Sequence, residues 1–165
     1  PIDDKLLYSK IIKYLNQSGY EKHVNTDVVA DLKPEPESCV NFAYLKRITK
    51  NNARLREMIG LYLDEIPQLV QTMKQAIAEK DWETLKISTH SLIPTFATMG
   101  INPEFEDMAK AIQALAGNLI VENAGPQVST ETMTMLTTLY AKIETVCFKA
   151  AKELEDEMLK LAELV

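Results

Sequence analysis

Glycine is scarce in this chain: 165 residues hold only five. With Leu, Ala, Lys, Glu and Met abundant, that balance favours helix over sheet. Cysteine is scarcer still. Cys39 and Cys147 lie far apart and make no metal-ligand spacing, so reduced thiols in a cytosolic compartment are the default expectation. No apolar run approaches the ~20 residues that a membrane span needs, and no signal-peptide pattern opens the chain. Positive charge is in deficit, with a formal net charge of −6, which argues against nucleic acid as the main partner. Histidine occurs twice, at His23 and His90, and a metal centre lacks ligands because Glu83 cannot make one with His90 alone. There is no glycine-rich phosphate loop or nucleotide motif and no credible nucleophilic triad, which argues against an autonomous kinase.

The length fits one domain, or one plus an appended piece, with enough chain for a real core. Charge is unevenly spread. Residues 41–80 carry seven basic and four acidic side chains, whereas residues 81–125 carry two and six. Lys46, Arg47, Lys50, Arg54 and Arg56 form the densest basic run, read as a solvated surface, with docking of an acidic partner as its functional alternative. A chain that starts at Pro1 is expected to have lost an initiator Met or to be cut from something longer, and a cut piece leaves room for a membrane-anchored parent.

Residues 1–15 read as a short amphipathic helix, with Pro1 at its start and Ile2, Leu6, Leu7, Ile11, Ile12 and Leu15 as its apolar side. From Asn16 to Val40 no period is sustained, and Gly19, Pro34 and Pro36 mark a linker. His23 sits there without an apolar frame and reads as an exposed bystander. The pattern then predicts a short helix over Phe42–Thr49, with Phe42, Leu45 and Ile48 on one side, and a long one from about Asn52 to Glu79, striped by Leu55, Ile59, Tyr62, Ile66, Leu69, Met73 and Ile77 and interrupted by Pro67. Asp81 is a good N-cap for a third helix, and the short Lys80–Asp81 turn makes the two long helices antiparallel neighbours. Asn102 and Pro103 open a fourth helix with Phe105, Met108, Ala109, Ile112 and Leu115 inward, expected to end at Gly117 and Asn118. A last helix is expected from about Ser129 to Leu164. At ~1.5 Å per residue it would be on the order of 50 Å long, too long for a compact bundle. Its distal half therefore needs cover, from residues 1–15 or from a second copy, which makes a homodimer through the terminal helices one expectation. The fold expected is all-α: an antiparallel four-helix bundle spanning 41–165, with an additional N-terminal helix and an extended C-terminal helix.

One stretch inside this frame carries chemistry. In S-T-H-S-L-I-P-T-F-A-T-M-G, Ser88 to Gly100, the positions Trp82, Leu85, Thr89, Leu92, Phe96 and Met99 recur at steps of three and four and face a core. His90 lies beside that stripe, at its border with water. Its helical neighbours are Glu83, Lys86, Ile87, Ile93, Pro94 and Ala97, mostly apolar. Pro94, four residues on, cannot donate the hydrogen bond that the His90 carbonyl would normally accept. Counting back across the Lys80–Asp81 turn sets His90 level with Gln68 to Thr72, so Gln68 is a candidate to orient the ring.

These residues resemble the histidine-containing phosphotransfer (HPt) domains of two-component phosphorelays, whose pattern reads roughly H-x-L-K-G-S-S-x-x-L-G. His90, Leu92, Met99 and Gly100 fall at matching places, and Thr95 is a small polar residue where the pattern wants one. Ile93 stands where the family has lysine, Pro94 where it has glycine, and Phe96 where it has a second small residue. The likeness covers about Val40 to Ala116. Residues 1–15 resemble, more loosely, the last helix of a receiver domain, as in a hybrid sensor kinase.

The resemblance implies that His90 takes a phosphoryl group from one response-regulator receiver aspartate and passes it to another. Neutral imidazole, with an ordinary pKa near ~6.5, is a good nucleophile at neutral pH and needs no activating base. In the family the receiver brings Mg²⁺ and the acidic pocket, so this chain is expected to bind no cofactor or metal of its own. Lys86 is the candidate substitute for the missing lysine, and Ile87, Ile93, Pro94 and Ala97 form an apolar landing area for a docked receiver. The resemblance also implies a cytoplasmic setting, whether free or as part of a membrane-anchored kinase. The alternative is a non-transferring helical docking or dimerisation module that binds a receiver.

Overall fold

Each helix begins where a short polar side chain can hold a free backbone N–H. The computed structural model describes residues 38–125 and 127–164. Helix α1 spans Phe42–Thr49, and the Asn41 side chain accepts from Tyr44 N at 2.9 Å. Helix α2 spans Asn52–Glu79, capped by Asn51 through Arg54 N at 2.8 Å. Helix α3 spans Trp82–Met99. Its cap, Asp81, accepts from Thr84 N at 3.0 Å and from Thr84 Oγ1 at 2.6 Å, and these bonds hold its carboxyl below the usual range. Helix α4 spans Pro103–Val121, capped by Asn102, and α5 spans Thr130–Glu163, capped by Ser129. Among the described residues there is no strand.

The helices close into a ring in which α2 packs on α3, α3 on α4, α4 on α5 and α5 back on α2. Short connections make successive members antiparallel, the up-and-down arrangement of a four-helix bundle. Its interior is built from the expected stripes. Leu55, Ile59, Ile66, Met73, Leu85, Leu92, Phe96, Ile112, Leu136 and Leu139 are all fully buried. Each such side chain contributes roughly 1.5–3 kcal/mol relative to exposure. Thr89 belongs to this interior as well, and its hydroxyl is satisfied by the Leu85 carbonyl at 2.6 Å.

Several expectations shift. On α2 the stripe slips one position, so Val70 is buried and Leu69 only partly so. On α1 the inward residues are Leu45 and Thr49, leaving Ile48 39% exposed. Phe105 on α4 is half-buried. Helix α4 does not stop at Gly117 and Asn118; it continues to Val121 and buries Leu119. Both α2 and α3 run on through their internal prolines, Pro67 and Pro94.

The 34-residue α5 projects past the ring, and its distal half meets the start of the described chain. Glu153 accepts from Cys39 N and Val40 N, both at 3.0 Å. Glu157, buried on α5, pairs with Lys46 of α1 at 2.8 Å. The Arg56 guanidinium of α2 donates to the Leu161 carbonyl. Cover for this half thus comes from α1 and the first turns of α2. The chain divides into units at Ser38 and Cys39, and the expected helix 1–15 and nearly all of the linker 16–40, with His23, lie outside the described residues. Ser38, Cys39 and Val40, assigned to that linker, are the part of it that the structure describes.

Gly100 fixes where α1 sits against α3. It closes α3 at φ 63°, a conformation that glycine adopts without strain. A Cβ there would lie 2.7 Å from Asn41 Cβ and 3.2 Å from Tyr44 Cδ1, so no larger residue fits. Asn41 N also donates to the Met99 carbonyl at 3.2 Å. Helix α1 therefore holds the C-terminal end of α3, the helix that carries His90.

Candidate functional site

Core packing decides which side of α3 meets water. Trp82, Leu85, Ser88, Thr89, Leu92, Phe96 and Met99 are buried. The remaining arc turns outward, with Lys86, Ile87, His90, Pro94 and Ala97 exposed and Ile93 partly so. Ile87 is 65% exposed, a large apolar surface one turn from the imidazole. The buried Ser88 hydroxyl donates back to Thr84 O at 2.7 Å and is thereby committed to its own helix.

The ring is held from α4. Gln113 Nε2 lies 3.1 Å from His90 Nδ1. The next turn repeats the relation, because the nearest neighbouring atom to a Cβ built on Gly117 is Lys86 Cε, at 4.0 Å. A step of four along α3, from Lys86 to His90, is matched by a step of four back along α4, from Gly117 to Gln113, as antiparallel neighbours require. The same register, carried a turn further, sets the Glu106–Lys110 pair beside Ile93 and Ala97. That ion pair is 2.6 Å long and holds the Lys110 ammonium above its ordinary pKa.

The Gln113 amide offers the ring two states. With its nitrogen toward Nδ1, as here, Nδ1 accepts and the ring proton sits on Nε2. A half-turn of the amide brings Oε1 to Nδ1–H and leaves the Nε2 lone pair pointing outward. A side chain that can do both holds the ring's orientation in either tautomer. No family model, curated protein or solved structure matches this chain. What the site can do therefore rests on its own geometry.

That geometry brings His90, Lys86, Ile87, Pro94 and Ala97 to one exposed face, with Ile93 at its edge. Gln68 does not join them. Its amide donates to the Asp64 carbonyl of its own helix at 2.9 Å, and the ring's partner is Gln113 instead. Counting away from the α3–α4 turn, in the same way as from the α2–α3 turn, reaches Gln113 from His90, so the signal was present on the other side of the helix. Among the described residues no group of three or more His, Cys, Asp or Glu side chains is placed to hold a metal. No described helix is long and apolar enough to cross a membrane.

Proposed function

We propose that this chain is a phosphotransfer module in which His90 carries a phosphoryl group between receiver aspartates. The observation that carries this reading is the placement of one exposed imidazole, tethered at Nδ1 by Gln113, within an exposed apolar surface on a packed helix pair. Tethering Nδ1 leaves Nε2 as the outward atom. In the transfer, the Nε2 lone pair attacks the phosphorus of an aspartyl phosphate. The P–N bond forms, the P–O bond to the aspartate breaks, and the carboxylate leaves with its electron pair. With the Gln113 amide turned, the Nδ1–H donates to Gln113 Oε1 throughout, and the cationic ring offsets part of the phosphoryl charge. The reverse sequence on a second receiver restores the imidazole.

Little covalent work falls to the protein in such a step; positioning and charge neutralisation dominate. Ile87, Pro94 and Ala97 supply a dry contact around the ring when a receiver docks, and Ile93 completes it. Mg²⁺ belongs to the receiver's acidic pocket in this scheme, and such a module works in the cytoplasm, where receivers are.

Radiolabelled phospho-receivers incubated with this chain and Mg²⁺ test the proposal. An acid-labile label on the wild type, absent from a folded His90→Gln variant, is the expected result. Receiver binding without any such label would replace phosphotransfer by a docking role, the reading that Ile93 and Pro94 favour by standing where the HPt pattern has lysine and glycine.

A further inference from the structure

The fold divides the basic run of Lys46, Arg47, Lys50, Arg54 and Arg56. Lys46 pairs with Glu157, Arg56 donates to the Leu161 carbonyl, and Arg47 lies over the Tyr44 ring at 5.7 Å. Lys50 and Arg54, on either side of the α1–α2 turn, are exposed and make no ion pair among the described residues. Beside them a groove of about 290 Å³ runs between α1 and the first turns of α2, lined by Ile48, Thr49, Arg54, Glu57, Met58 and Leu61. Ile48 is 39% and Leu61 55% exposed, so two large apolar side chains meet water in one concave surface. Its surroundings are positive: residues 42–61 carry those five basic side chains and one acidic, Glu57, in a chain of formal net charge −6. Cations left unpaired beside an apolar floor complement a helix that carries carboxylates next to its apolar stripe.

We propose that this groove docks an acidic amphipathic helix of another protein. Apolar side chains one turn apart on that helix sit on Ile48, Met58 and Leu61, and its carboxylates meet Lys50 and Arg54. Other occupants fit less well. Residues 1–15 carry Lys5, Lys10 and Lys13 against Asp3 and Asp4, the wrong sign. A second copy offers Glu155, Asp156 and Glu163 around the exposed Leu159 of α5. Arg56 turns to α5, however, and Arg54, two residues before it, points to the other side of α2, so the groove and that acidic face look in different directions. Pairing them would run head to tail and would not close a two-fold dimer. An anionic membrane would have to take up the Glu57 carboxylate along with the apolar floor. Helix α1 meets α3 at Gly100, and at ~1.5 Å per residue His90 lies about 15 Å back along that helix. The groove thus shares no residue with the face around the imidazole.

A fluorescein-labelled peptide of roughly 15 residues, with leucines at steps of three and four and glutamates between them, is titrated with the full chain and followed by anisotropy. Saturable binding that weakens as salt is raised is the expected result, and His90→Gln should bind as the wild type does. Leu61→Asp and Arg54→Glu should each weaken binding on the order of tenfold, with unchanged urea midpoints showing that the fold is intact. A peptide with lysine for every glutamate should bind the wild type at least about tenfold more weakly and recover on a Lys50→Glu, Arg54→Glu double variant. Phe148→Asp, which alters an exposed apolar site on α5, should leave binding unchanged. No binding of the acidic peptide, equal binding of the lysine peptide, or equal binding by the groove variants overturns the proposal. Self-association in sedimentation, or uptake onto phosphatidylserine vesicles, that depends on Leu61 and Arg54 in a chain that ignores the peptide also overturns it, and assigns the face to a second copy or to a membrane.

Discussion

A thiol or phenol sealed in a protein keeps its proton, because the charged form has lost its water. Burial pushes Cys147 up to about 12, and burial with the Glu153 charge nearby does the same to Cys39. Tyr62 and Tyr140 are raised in the same direction, again chiefly by burial. In the unfolded chain these thiols ionise near 9.0. Between pH 9 and 12 the unfolded state therefore binds fewer protons than the native one, and stability falls as pH rises. The urea midpoint should hold from pH 7 to about 8.5 and then decline, less steeply in Cys147→Ala; an identical slope in that variant would show that its thiol does not contribute. The same scale shows where residue-level reading of the sequence works. An apolar frame around a lone His90 placed the ring at the water border of α3, which is where it lies. Its partner was not legible that way, because a helix in a bundle has two neighbours, and only the angle of the ring about the α3 axis selects Gln113 over Gln68.

Helix α3 combines a firm start, a glycine stop and a proline in its fourth turn, and the proline has a measurable consequence. Pro94 gives the His90 carbonyl no N–H, and proline costs about 3 kcal/mol relative to alanine inside a helix. Pro94→Ala should therefore stabilise the protein by roughly 1–3 kcal/mol in urea unfolding. A loss of stability instead would mean that the shape of α3 at Pro94 is required by its packing. The ends of elements were the most legible feature of the sequence. Asn41, Asp81, Asn102, Pro103 and Gly100 act at helix termini as their chemistry dictates, because a cap is a local interaction. Gly117 misled for the complementary reason. Its local preference is to end a helix, but burial of Leu119 against the bundle favours the extra turn. The slip from Leu69 to Val70 is local, since Ile66 before it and Met73 and Ile77 after it are buried as the stripe requires.

At the scale of the whole unit from Cys39 on, the long helices α2 and α5 extend beyond the shorter α3 and α4, and the two ends of that unit are built differently. One end is the four-helix ring, where the Tyr140 hydroxyl donates to the Val70 carbonyl at 3.1 Å and Lys74 pairs with Glu144 at 3.6 Å. The other is made by α1, the start of α2 and the distal half of α5, tied by Glu153, Glu157 and Arg56. His90 belongs to the ring, held by Gln113 at mid-helix on α4, while Leu154 is fully buried on the distal half of α5. Leu154→Ala should thus cost about 2–5 kcal/mol of stability, through lost burial and the cavity left behind. If the ring alone forms the site, the folded fraction of that variant should take phosphoryl from phosphoramidate at the wild-type rate. A slower rate at full folding would mean that the geometry of His90 depends on the far end of the molecule. The most direct link available is Asn41, whose backbone donates to Met99 at the end of α3 and whose Cβ faces Gly100. Gly100→Ala would then reproduce the slowing, because a Cβ 2.7 Å from that of Asn41 forces α1 and α3 apart.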